Sequence, residues 1–233
     1  MGWITTPIYF MKTLNIVIPT INRKDLLMEA LVPINKQLDQ FDKLLIIDNG
    51  NQDIENSIKD LDLVKQNKVE IYIPGNNIGV GPSWNYGISK SLDKDFILFL
   101  NDDIVISDTQ LKDIHTNVLD NRIFWLATGG YHWCMFLFAR EAWEFFLKQD
   151  GFVFDPSFYP AYFEDNDMCR RVHMADINMH IGVKEMDPLV FRNSMTIAKD
   201  PKINSGFGKN QQYYVRKWGG MPSHEKFATP FNR

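Results

Sequence analysis

A mostly parallel, doubly wound α/β sheet is the fold this sequence predicts. Short apolar runs rich in β-branched and aromatic residues alternate with longer helix-like stretches over the first hundred residues, the order of a parallel sheet flanked by helices. The runs are apolar throughout, as expected of strands covered on both faces. Each ends in a polar, turn-forming cluster, and in such sheets ligands sit beyond the carboxyl ends of the strands.

Strands are predicted at residues 14–18, 43–47, 69–73 and 96–100, with helices at 24–40, 53–65 and 83–92 between them. The clusters that follow the strands are Pro19-Thr20-Ile21-Asn22-Arg23, Asp48-Asn49-Gly50, Pro74-Gly75-Asn76-Asn77-Ile78-Gly79 and Asn101-Asp102-Asp103. The second half is less regular. Residues 125–128 and 134–138 read as strands joined through Gly129-Gly130, and 139–149 as a helix. A further helix over 163–174, entered through a turn at Pro160, carries Glu164, Asp165 and Asp167 in its first turn, where the helix dipole favours acids. A last helix over 210–217 stops at Gly219-Gly220.

Composition narrows the class. With 233 residues, 45% hydrophobic and 23% charged, the chain suffices to bury one sizeable core. Cys134 and Cys169 are too few for a disulfide framework and lack a Cys-x-x-Cys spacing, which points to a reducing compartment. No apolar run reaches the roughly 20 residues that cross a bilayer, and no basic-then-apolar leader opens the chain; a cytoplasmic protein is expected. The net charge of −4 comes with no basic tract, which counts against a nucleic-acid partner.

Asp102 and Asp103 leave the apolar run Phe96-Ile97-Leu98-Phe99-Leu100, where unpaired carboxylates would be costly to desolvate. A divalent cation answers that charge: Mg²⁺ or Mn²⁺ commonly takes one or two carboxylates and completes its shell with water and substrate phosphates. The other reading is an acidic turn in which either residue caps a helix starting near Ser107, and taken alone such a turn is the commoner structure. Asp48 closes the second run, where a lone carboxylate suits the N3–H of a uracil or thymine base; Asp48-Asn49-Gly50 is equally good Asx-turn chemistry.

The stretch from Asn76 to Gly87 puts glycines and amides between a strand and a helix, so that backbone N–H groups approach an anion at the helix N-terminus. Tight helix–strand packing is the commoner use of such a loop. It has neither Gly-x-Gly-x-x-Gly nor Gly-Lys-Ser/Thr spacing, which disfavours those two cofactor classes. Glu164-Asp165 supplies the acidic group that takes a proton from an acceptor hydroxyl during group transfer, with capping of the helix start as the plainer alternative. The two side chains point about 100° apart on a helix and need not share a role.

In combination, Ile16-Val17-Ile18-Pro19-Thr20-Ile21-Asn22-Arg23, Ile46-Ile47-Asp48-Asn49-Gly50, Asn76-Asn77-Ile78-Gly79 with Trp84-Asn85-Tyr86-Gly87, Leu100-Asn101-Asp102-Asp103 and Tyr162-Phe163-Glu164-Asp165-Asn166-Asp167 resemble the family 2 glycosyltransferases of the GT-A fold, over roughly residues 14–174. The resemblance implies a nucleotide-sugar donor across the strand ends, an Asp-x-Asp-type metal motif binding Mn²⁺ or Mg²⁺, and transfer with inversion by single displacement. It assigns Pro19, Thr20 and Arg23 to the nucleotide pocket, Asp48 to a uracil base, and Asn77, Gly79 and Asn85 to the ribose and diphosphate region. Asp103 takes the metal position with Asp102 beside it, Asp165 is the general base, and Glu164 its neighbour near the acceptor. It also implies one domain over 12–220, with a nucleotide-sugar half at 12–105 and an acceptor half at 106–220, between an N-terminal extension at 1–11 and a tail at 221–233.

Two departures stand out. The first motif position is Asn101 rather than Asp, and Arg192 stands where many members carry a histidine; its guanidinium suits the leaving diphosphate. The segment from Tyr213 to Pro222 and the following Phe227-Ala228-Thr229-Pro230-Phe231 resemble the ending of small stand-alone members, some virus-encoded. There Lys217 and Trp218 are expected as a lid, Tyr213 and Tyr214 as packing residues, and His132 with Trp133 as lining of the acceptor side. A UDP-sugar donor and a glycan or lipid-linked acceptor are expected, with a hydroxymethylated base in viral DNA as the alternative, against which the acidic balance weighs. A nucleotidyltransferase would need a glycine-rich basic loop that Thr20-Ile21-Asn22-Arg23-Lys24 does not supply; a noncatalytic sugar- or nucleotide-binding module is the other rival.

Overall fold

The computed structural model describes residues 12–119, 123–128, 132–192 and 201–233. The expectations for residues 1–11, the Gly129-Gly130 connection and the His132 side chain lie outside the described residues. Seven strands are described: β1 Leu14–Thr20, β2 Lys43–Asp48, β3 Val69–Tyr72, β4 Phe96–Leu100, β5 Phe124–Thr128, β6 His132–Ala139 and β7 Met179–Ile181. They form one sheet in the order β3-β2-β1-β4-β6-β5-β7. β1 pairs in parallel with β2 and β4, β2 with β3, and β5 with β7. β6 runs antiparallel to both its neighbours and is the one reversed strand among those described. Residues 129–131 alone separate it from β5, far too few for a parallel crossover.

The helices are α1 Lys24–Ile34, α2 Ile54–Ile58, α3 Asp62–Lys65, α4 Val80–Ser89, α5 Gln110–Asn117, α6 Arg140–Asp150, α7 Glu164–Met174 and α8 Phe207–Trp218. Alternation along each strand divides the core into two layers. Ile16, Ile18, Leu44, Ile46, Leu98 and Leu100 pack on one face with Leu27 and Leu31 of α1 and Leu111 of α5. Val17, Leu45, Ile47, Ile97 and Phe99 pack on the other with Trp84 of α4, Phe136, Phe154 and Met168 of α7. Phe99 and Phe136 stack at 4.6 Å, with Trp84 edge-on to Phe136 at 5.0 Å; truncating one such ring costs about 3–5 kcal/mol.

The structure departs from the sequence reading in four places. The helix expected over 24–40 ends at Ile34, one residue after Pro33, and a 3-10 turn Leu38–Gln40 follows. The helix expected over 53–65 splits at Leu61, whose extended backbone lets both Ile58 and Leu63 turn inward. β3 is half-exposed rather than covered on both faces, because it is the edge of the sheet. β7, three residues long, was not expected; so short a run carries no period to read.

Candidate active site

The strand ends, the start of α4 and the start of α7 line a cleft of about 240 Å³. β1 contributes Pro19 and Thr20, the β4 turn contributes Asn101, Asp102 and Asp103, and α7 contributes Glu164 and Asp165. Asn77, Gly79, Trp133, Tyr162 and Arg192 also face it. Acids separated by some sixty residues in sequence thus converge.

Backbone hydrogen bonds fix the aspartate pair. Asn101 N donates to Cys134 O at 2.8 Å, extending the β4–β6 ladder by one residue, and Ile104 N closes a turn on Asn101 O at 3.2 Å. Asp102 and Asp103 occupy the middle of that turn, 6% and 5% exposed. Thr20 Oγ1 donates to Asp102 Oδ2 at 2.7 Å, joining the ends of β1 and β4. α5 starts only at Gln110, after Thr109, so neither aspartate caps it and that reading falls. Two adjacent carboxylates fit a hard divalent cation that keeps water or phosphate ligands. Among the described residues, no three His, Cys, Asp or Glu side chains group to hold a metal by themselves.

On the nucleotide side several expected contacts are already engaged. Asp48 is buried, and its carboxylate accepts from Gly50 N at 3.1 Å and from Gln52 N and Nε2 at 2.6 and 3.0 Å. That is the Asx-turn geometry, and Asp48 lies behind the cleft lining rather than in it. Arg23 likewise lies off the lining, with Nε and Nη2 each 2.9 Å from Asp25. The Asp25 hydrogen bond foremost, with Asp102 and Asp103 assisting, holds this guanidinium more firmly charged than usual.

Asn77 and Gly79 do face the cleft, in a turn where Gly79 N donates to Asn77 Oδ1 at 2.8 Å. Gly79 has φ +88°, and a Cβ there would meet Pro160 O at 2.8 Å; Val80 N donates to the same oxygen at 2.9 Å. Close packing of two loops therefore accounts for this glycine, and the amides of Gly79 and Val80 are taken by protein acceptors. Asn85 corrects the sequence reading: its Nδ2 donates to Phe154 O at 2.6 Å and its Oδ1 accepts from Phe154 N at 2.8 Å. It pins α4 to the Phe154 chain and does not line the cleft.

On the opposite wall, Tyr162 and Phe163 lead into α7 with φ +77° and +70°. Glu164 is 6% exposed, and its Oε2 has no hydrogen-bond partner among the described residues. Burial above all, then the neighbouring Asp165 charge, pushes its carboxyl well above the usual glutamate range. Asp165 is half-buried and accepts from Asn166 N at 2.7 Å. Arg192 lines the cleft with Nη2 at 2.6 Å from Glu29, while its buried Nη1 has no hydrogen-bond partner among the described residues.

Lys217 and Trp218 do not form a lid. Lys217 is 3% exposed, with Nζ 2.7 Å from both Asp155 Oδ2 and Asp167 Oδ1, and Trp218 Nε1 donates to Asp167 Oδ1 at 2.8 Å. The helix face that buries them was expected in the sequence only as packing for Tyr213 and Tyr214. Trp133 is buried and lines the cleft. Sequence reasoning missed Asn49, whose side chain donates to Ser83 Oγ at 3.0 Å and accepts from Ile78 N at 3.0 Å; the Asp48-Asn49-Gly50 turn signal masked it.

Comparison with known proteins agrees with this fold. The family model of glycosyl transferase family 2 matches residues 15–169. The chain is 28% identical over 100 residues to the O-antigen chain rhamnosyltransferase RfbN of Salmonella typhimurium, a stretch covering 41% of this chain and 30% of that relative's length. The fold matches the mannosyltransferase PcManGT of Pyrobaculum calidifontis, solved in complex with GDP-Man and Mn²⁺, with a TM-score of 0.65 at 12% identity over 92% of this chain and 67% of that one. It also matches residues 1–349 of TarS from S. aureus, solved with UDP-GlcNAc, with a TM-score of 0.62 at 15% identity over 80% and 60% of the two chains. The family match runs from β1 to the first turns of α7, through the strand ends and both acidic pairs, and it makes this chain a glycosyltransferase of family 2.

Proposed function

We propose that the chain is an inverting transferase that moves a sugar from a nucleoside diphosphate, a UDP-sugar, to a hydroxyl of a glycan or lipid-linked acceptor. The observation that carries this reading is the convergence of Asp102-Asp103 and Glu164-Asp165 on one cleft at the strand ends. The solved mannosyltransferase and TarS complexes, with GDP-Man and Mn²⁺ and with UDP-GlcNAc, support a nucleotide-sugar donor. A cytoplasmic setting belongs to the same proposal; no helix among the described residues is long and apolar enough to cross a membrane.

Asp103, with Asp102 oriented by Thr20, would hold Mn²⁺ or Mg²⁺. The ion, when bound, supplies positive charge to the departing diphosphate. Arg192 would bring to the same phosphates its Nη1, which has no hydrogen-bond partner among the described residues. Asp165 takes the proton of the acceptor hydroxyl as that oxygen bonds to the anomeric carbon, and the bond to the phosphate oxygen breaks with its electron pair leaving on the nucleotide. Attack and departure on opposite faces invert the centre. Glu164 is held above the usual glutamate range by burial first and by Asp165, which favours its neutral form beside that residue. UDP release from UDP-sugars with added Mn²⁺ tests the reading: binding of UDP without turnover of any donor, in the presence of glycan acceptors, would make the chain a binding module.

A further inference from the structure

We propose that Lys217 and Asn210, on α8, are positioning residues: they brace the chain from Asp155 to Asp167 and so set the place of the Glu164-Asp165 pair. The inference rests on the catalytic reading of that pair and goes beyond it, because α8 lies outside the 15–169 span of the family match.

The braced segment needs external support. It enters α7 through Tyr162 and Phe163, both at positive φ, a conformation that bulky residues keep only where their surroundings impose it. α8 makes contact at both ends and in the middle. At the ends, one ammonium joins two carboxylates: Lys217 Nζ is 2.7 Å from Asp155 and 2.7 Å from Asp167. Tyr213 OH adds a hydrogen bond to Asp155 at 3.0 Å, and Trp218 Nε1 one to Asp167 at 2.8 Å. In the middle, Asn210 Nδ2 donates to Ala161 O at 2.8 Å and Tyr162 O at 3.1 Å, while its Oδ1 accepts from Tyr159 N at 3.3 Å.

Gly206, just before α8, lets the backbones meet; a Cβ there would lie 2.5 Å from Tyr159 O. Phe158, Phe163, Tyr214 and Trp218 close a small apolar cluster around these bonds. Lys217 itself does not face the cleft, whereas Pro160, Ala161 and Tyr162 of the braced segment do. The side chain therefore acts through the segment. Removing its charge leaves Asp155 and Asp167 buried without their shared cation, which loosens both ends at once.

Hydrogen exchange on Lys217→Met and Asn210→Ala, read beside UDP binding with Mn²⁺ and UDP-sugar turnover, tests this. Amides of 155–167 should exchange about tenfold faster while those of β1, β2 and β4 keep their rates. UDP affinity should stay within about twofold and turnover fall about a hundredfold, the scale of a misplaced catalytic group. Lys217→Arg, which keeps the charge, should recover part of both. Unchanged exchange over 155–167 in both variants overturns the brace, as does local loosening with undiminished turnover. If Lys217→Met unfolds as a whole, Asn210→Ala, which keeps the ion triad, decides the matter alone. Normal transfer by Asp165→Asn would remove the catalytic reading, and the exchange rates would still decide whether α8 braces the segment.

Discussion

Thr20 Oγ1 donates to Asp102 Oδ2 at 2.7 Å across two neighbouring parallel strands. This bond fixes the aspartate turn to the end of β1, and its acceptor is a buried carboxylate. Thr20→Val keeps the shape of the side chain and removes the donor. It should lower stability by about 1.5–3 kcal/mol, measured by urea unfolding, and weaken Mn²⁺-dependent UDP binding in calorimetry. Binding unchanged by this substitution would detach Asp102 from the donor site.

Asp103→Ala and Asp165→Asn should fail differently. Loss of Asp103 removes charge stabilisation from the leaving diphosphate, so turnover should drop about 10²–10³-fold and Mn²⁺ should no longer strengthen UDP binding. Asp165→Asn should abolish transfer and leave UDP affinity nearly intact. Steady-state rates beside calorimetric titrations separate the two, and normal transfer by Asp165→Asn would take that residue out of the mechanism.

Glu164 gives stability a defined pH slope. Burial first, then Asp165, raises its folded pKa, so between the ordinary glutamate value and the raised one the folded chain holds a proton that the unfolded chain has lost. Stability contributed by this proton is complete below the ordinary value and declines as pH rises through the raised one. Glu164→Gln, which cannot titrate, should flatten that decline. Urea midpoints of parent and variant across mildly acidic to neutral pH measure it, and parallel curves would contradict the shift.

Gly79→Ala should destabilise the chain by about 1–3 kcal/mol. Its φ of +88° disfavours any side chain, and the new methyl would sit 2.8 Å from Pro160 O. Thermal unfolding reads the loss. Because the glycine joins the two loops on either side of the cleft, UDP affinity should fall along with stability; a variant as stable as the parent would mean that the loops part without cost.

The parallel half of the sheet and the place of the acidic clusters were legible because buried strands announce themselves as continuous apolar runs, and their ends as turns. The run 96–100 and the strand Phe96–Leu100 coincide. What individual polar residues do was less legible. Asn85 and Asp48 carry side chains suited to a ligand, yet one pairs with the backbone of Phe154, sixty-nine positions away, and the other with its own turn. Lys217 was misread for the same reason: Asp155 and Asp167 are remote partners, and sequence spacing says nothing of which remote carboxylates a lysine will meet.

β6 enters the cleft by its beginning, whereas β1 and β4 reach it by their ends. The reversed strand therefore brings Trp133 and Cys134 to the same cleft as Asp103, in a register with β4, Leu100 against Met135, that is set farther along. Asn101 N on Cys134 O ties the start of the reversed strand to the aspartate turn, so that wall of the cleft and the turn hold their places together. A substitution that shifts the start of β6 therefore carries the aspartate turn with it.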